Sequence, residues 1–187
     1  MINDLRRVVI AQRARAIELR AFPAERLLHR PSPTEWNALE IIEHLCLSSG
    51  IYVRGLEKAM QAPALRTPVK KDFTPGRLGG YCTRAMQPRA DGSITHRMRT
   101  FRAFDPPRHH GASMESLDRF IDLCDRSLRL LDRARTVDLD RLRVTSSLGP
   151  IVRFKAGDAL RFPIAHQERH FLQLERVLAS APVPRRR

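Results

Sequence analysis

Lysine, cysteine and long apolar runs are scarce in this 187-residue chain. Of its 34 basic residues 30 are Arg, and only Lys58, Lys70, Lys71 and Lys155 are Lys. The three cysteines, Cys46, Cys82 and Cys124, are odd in number and form no CxxC pair, a pattern that fits a reduced, cytoplasmic protein and offers no cysteine-based redox or zinc motif. No run reaches the roughly 18 apolar residues that a membrane-crossing helix needs, and the opening MINDLRRVVI is charged and lacks an apolar signal core. A cytoplasmic location with no membrane partner is the expectation. RNP, zinc-finger and Gly-rich RNA signatures are missing as well, so the formal net charge of +14 predicts no specific nucleic-acid partner. The arginines are scattered over nearly every segment, as a coding bias toward Arg would scatter them.

What is present is helical periodicity. The length suits a single domain spanning residues 1–187, with enough apolar surface to fold without a disulfide or a metal. Residues 3–20 read as a first amphipathic helix, capped by Asn3, with Leu5, Val8, Val9, Ala16 and Leu19 on one stripe that Gln12 interrupts. A second helix opens with a capping box, Asn37 at the N-cap and Glu40 three residues on, and runs to about Ala62. Its apolar face carries Ile41, Leu45, Tyr52 and Leu56, and also His44. Ser113 opens a third, with Leu117, Phe120, Ile121, Cys124, Leu128 and Leu131 inward and Asp122–Arg126 and Asp125–Arg129 pairs along its outer face. The segment RVTSSLGPIVRF reads as extended around a Gly-Pro turn, and a fourth helix starts near Lys155 or Asp158 and continues to about Ala179. Between the second and third helices, residues 63–112 lose all periodicity and form a long basic connection, while 182–187 read as a frayed basic tail. The expected fold is all-α, a four-helix bundle whose long crossover lets helices two and three run parallel.

The chemistry sits in the fourth helix, in HQERHFLQLERVL. His166 and His170 are four apart and leave the same helical face, with Gln173 three residues further on that face. Imidazole pairs at this spacing clamp zinc, nickel, iron or copper. The metalloprotease motif is excluded, because Gln167 rather than Glu follows the first histidine and Glu168 points away. A histidine pair alone is weak evidence, but His44 on the inward face of the second helix needs a partner of its own. Together His44, His166 and His170 would supply three nitrogens and leave a position open, as catalytic zinc sites do.

These residues resemble a known family, the DinB-like (YfiT-like) superfamily of metal-binding four-helix bundles. The resemblance rests on Trp36-x3-Glu40-x3-His44-Leu45 in the second helix, on His166-x3-His170-x2-Gln173 in the fourth, and on the approach LGPIVRFKAGDALRF. Pro163, one turn before His166, departs from the pattern and would bend the approach to the site. The resemblance implies that His44, His166 and His170 coordinate one divalent metal (Zn, Ni, Fe or Mn), that the chain forms a homodimer, and that it acts on a small-molecule substrate. Relatives with known activity include bacillithiol S-transferases and mycothiol-dependent maleylpyruvate isomerase. A metal-dependent S-transferase or isomerase using a low-molecular-weight thiol is therefore the first functional reading. A metal-dependent hydrolase and a non-enzymatic basic nucleic-acid-associated bundle are the alternatives. Glu40 is read as a cap and Trp36 as a packing residue. Gln173 either orients a ligand, contacts substrate or is structural, and His29, His96, His109 and His110 are read as surface residues.

Overall fold

A computed structural model of the chain describes residues 1–61, 72–89, 91–94, 99–108 and 111–182. Among them lie six α-helices: α1 (Ile2–Leu19), α2 (Ala24–Leu27), α3 (Ala38–Gln61), α4 (Arg77–Met86), α5 (Met114–Arg133) and α6 (Ala156–Ser180). A small antiparallel sheet pairs β1 (Arg143–Thr145) with β2 (Arg153–Lys155), so the fold is all-α apart from one hairpin. The hairpin is the extended RVT…VRF segment, and its register sets Val144 opposite Phe154, both buried. Helix α3 packs against α5 and α6, α1 packs against the same two helices, and α4 lies on α6.

Helix α3 begins as the capping box requires. The Asn37 amide oxygen accepts from the Glu40 N–H at 2.9 Å, and the Glu40 carboxylate accepts from the Asn37 N–H at 2.9 Å. Arg30 pairs with the other oxygen of Glu40, which leaves that carboxylate fully engaged as a cap. Residues 38–45 of α3 are buried on every face, and this draws His44 into the interior. Helix α5 likewise starts at Ser113, which accepts from Glu115 N–H while Ser116 accepts from Ser113 N–H.

Three local expectations are corrected. Helix α1 starts at Ile2 with Met1 at its N-cap, and Asn3 instead accepts a hydrogen bond from Arg135 at 2.6 Å. Asp125 turns to α1 rather than along its own helix, taking a bidentate pair from Arg13 at 2.7 and 3.2 Å, since the planar guanidinium of a neighbouring helix matches a carboxylate better than an i,i+4 contact. The connection between α3 and α5 is not aperiodic throughout. It contains α4 and two 3-10 turns, Arg102–Phe104 and Pro106–Arg108. The helical signal was hidden because α4 has two glycines and an exposed Tyr81, and buries only Gly79, Gly80, Thr83 and Met86. Residues 63–71, 90, 95–98 and 109–110 of the stretch that was read as a basic connection, and residues 183–187 of the tail, lie outside the described residues.

Asp158 holds α4 in place. Its buried carboxylate, in the first turn of α6, accepts from the Gly76 N–H at 2.7 Å, at the N-cap of α4. A Cβ on Gly79 would lie 2.6 Å from that of Asp158, so the close helix approach needs glycine there.

Gln12 interrupts the stripe of α1 as its sequence position suggests, yet it is buried and neither amide atom meets a hydrogen-bonding partner among the described residues. Burying an unmatched amide costs about 1–3 kcal/mol. Gln12→Met, of similar shape, is expected to raise Tm by about 2–4 °C per kcal/mol regained in a thermal melt. A lower Tm would mean that the amide has a partner in solution.

Candidate metal centre

Helix α3 delivers His44 from a stretch buried on all sides, and α6 delivers His166 and His170 one turn apart. Pro163 does not end α6. The helix runs through it, although its missing N–H removes the donor that the Ala159 carbonyl would take. The three histidines meet. His44 Nε2 lies 3.4 Å from His166 Nε2, His170 Nε2 lies 3.1 Å from the same atom, and all three nitrogens fall within 4.8 Å of one another.

The rings are held from behind. His44 Nδ1 is 2.8 Å from the Phe104 carbonyl, which can only accept, so Nδ1 carries the proton and Nε2 presents a bare lone pair. His170 Nδ1 donates to the Gln173 amide oxygen at 2.9 Å, with the same consequence for its Nε2. The His166 Nε2 can donate to only one of these two acceptors. A single cation between the rings would satisfy all three nitrogens, and ligand nitrogens about 2.0–2.1 Å from a tetrahedral zinc stand roughly 3.3 Å apart. The donor set therefore fits a divalent metal ion. Trp36 packs on the site, its ring centroid 4.9 Å from that of His44, and Phe162 stacks parallel to His166 at 6.3 Å.

Burial drives the electrostatics. It pulls His44 below the ordinary imidazole value, against the Phe104 hydrogen bond and the Asp105 charge, which both raise it. His166 is held well below that value by burial and then by its neighbours His170 and His44. Burial pushes His170 down to about 3, with the His44 charge adding to it and the Gln173 hydrogen bond opposing. All three rings are thus neutral near pH 7, the form that binds a metal. Because the folded rings take up protons less readily than the unfolded chain, acid favours unfolding. Their stabilising contribution is complete above the unfolded value of 6.5 and is lost as the pH falls toward about 3. Metal-free protein is therefore expected to lose urea resistance between about pH 7 and pH 4.5, and His170→Ala to lose less over that range. An equal slope in the variant would remove the histidines from the acid response.

A cavity of about 100 Å3 opens beside the cluster. His44, His166 and His170 form one wall, and Arg99, Arg169, Phe101 and Phe104 contribute to others. The profile of the DinB superfamily matches residues 9–174. The chain belongs to the DinB superfamily. The matched region of this DinB-superfamily chain contains all three clustered histidines and Gln173. No curated protein and no solved structure matches the chain.

Other sequence-stretch candidates fall elsewhere. His29 is half-buried in the segment after α2 and is not one of the clustered nitrogens, while His96, His109 and His110 lie outside the described residues. Cys46 turns toward α5, where its thiol donates to the Ser116 carbonyl at 3.6 Å, and burial raises its pKa. Cys124 is in the core, pushed up to about 12 by burial, and Cys82 is raised by the same cause. None of these thiols is activated as a nucleophile. The Phe104 contribution was invisible in the sequence, because a backbone carbonyl leaves no side-chain signature.

Proposed function

We propose that His44, His166 and His170 hold one divalent metal, Zn, Ni, Fe or Mn, in a metal-dependent S-transferase or isomerase that uses a low-molecular-weight thiol. The observation that supports this is the convergence of three Nε2 atoms, two of them deprotonated by acceptors on the far side of their rings. When bound, a divalent cation with an open position lowers the pKa of a thiol or water placed there. The chain's own residues do the rest. Phe104 and Gln173 fix the tautomers and orientation of His44 and His170, and Trp36 and Phe162 limit the movement of the rings. Gln173 is thus read as the residue that orients a ligand. We also read α1, α3, α5 and α6 as a four-helix bundle in one domain, with the α3–α5 segment as its crossover, in a cytoplasmic homodimer.

The many inter-helix ion pairs, such as Arg126–Glu57 and Arg15–Glu175, favour a structural use of the arginines over a nucleic-acid surface. The test is metal analysis of protein purified without a nickel column, followed by cobalt substitution. Near-stoichiometric metal, and a visible spectrum that changes when a small thiol is added, are expected. No metal would end the reading. Metal without any thiol response, together with turnover by water attack, would replace the transferase with a hydrolase.

A further inference from the structure

The cavity beside the histidines combines positive charge with apolar surface. Among the described residues, two guanidinium side chains line it, Arg99 from the α4–α5 connection and Arg169 from α6, and no Asp or Glu does. Arg169 precedes His170 directly, so the turn of α6 that carries the histidine pair also brings a cation to the same space. Phe101, Phe104, Leu148 and Phe162 supply flat or branched apolar surface to the rest of the wall, and Ser48, Ser49, Thr100 and Ser147 interrupt it with hydroxyls. Positive charge beside apolar walls disfavours cations and offers an anion a charge-assisted interaction that a neutral molecule does not receive. A polyanion is excluded by size, because about 100 Å3 admits only a small molecule.

We propose that the substrate of this cavity is a small carboxylate with an apolar body, its carboxylate received by Arg169 and Arg99 and its body by the phenylalanine walls. A guanidinium presents paired N–H donors in one plane, and a carboxylate presents two oxygens at matching separation. The apolar body favours a carboxylate over inorganic phosphate, which has none. The inference rests on the metal-centre reading for its reaction, since the carboxylate would anchor a molecule whose reacting end lies at the three histidines. The two arginines are specificity residues in this scheme and take no part in bond making.

Benzoate and its neutral analogue benzamide test the idea by NMR shift titration of the full chain at constant ionic strength, in metal-loaded and chelator-treated forms. Benzoate is expected to bind at least about tenfold more tightly than benzamide in both forms. Arg169→Gln and Arg99→Gln should each shrink that ratio, with metal content measured separately and unchanged. Arg99 is exposed, so its variant keeps the test valid if Arg169→Gln fails to fold. Equal binding of the two probes overturns the proposal. So does benzoate binding that needs the metal but neither arginine, or inorganic phosphate binding as tightly as benzoate. Absence of stoichiometric metal sinks the metal-centre reading alone, and the carboxylate preference is then still decided by the chelator-treated arm.

Discussion

Protein carrying His44→Ala is expected to lose metal affinity by about 100-fold or more, and with it the stabilisation that metal gives the wild type. The remaining pair, His166 and His170, comes from one helix and offers two nitrogens where three now converge. Loss of a group that merely supports a ligand costs about 10–100-fold, so loss of a ligand should meet or exceed the upper end. For the wild type, metal at about 100 times its Kd adds roughly 2.7 kcal/mol to stability through linkage. That corresponds to about 5–10 °C in Tm for a chain of this size. The shift should shrink to near zero in His44→Ala. The apo form of the variant should still fold, because the core is built from side chains such as Ile41, Ile42, Leu45, Leu117 and Phe120, which the substitution leaves in place. His29→Ala is the control, since that ring lies apart from the clustered nitrogens. Calorimetric titration and melts with and without added metal measure both quantities. If His44→Ala keeps the metal-dependent shift of the control, His44 is a core histidine held by Phe104 and nothing more.

Asp158→Ala should loosen α4 and destabilise the chain by about 1–3 kcal/mol, because the Gly76 N–H loses its buried acceptor and the close approach of α4 to α6 loses its polar anchor. The carboxylate is itself raised in pKa by burial, a penalty that its hydrogen bond to Gly76 offsets only in part. Removal therefore sits toward the lower half of that range. The reciprocal change, Gly79→Ala, forces a methyl to within 2.6 Å of the Asp158 Cβ and should also destabilise. Gly79→Ala combined with Asp158→Gly, which removes the Cβ as well as the carboxylate, should be less damaged than the sum of the two changes, since only then is the space that the methyl requires freed. Thermal melts report the energies, and amide hydrogen exchange over residues 77–86 reports the loosening. Unchanged exchange in Asp158→Ala would show that α4 is held by its apolar contacts alone. Met86, at the far end of α4, lines the cavity beside the histidines, so a loosened α4 should also widen the site.

The sequence by itself determined the long helices and the donors. The capping residues Asn37, Glu40 and Ser113, the 3.6-residue stripes, and the Gly-Pro turn of the hairpin are local signals, read over a few residues and independent of what packs against them. The i,i+4 spacing of His166 and His170 belongs to the same class, because one helix alone aims both rings. Only the tertiary structure decided the rest. Whether His44 reaches the other two depends on how α3 and α6 are set against each other across 122 residues of chain, and the 3.4 Å separation is a product of that packing. Asp125 was assigned to its own helix by spacing and was claimed by Arg13 of α1, because a partner at hydrogen-bond distance outcompetes one that is merely near in sequence. Helix α4 and the turn that offers the Phe104 carbonyl were illegible for a related reason. Glycines that exist to let Asp158 approach read locally as breakers, and a carbonyl that orients a histidine belongs to the backbone, which every residue shares.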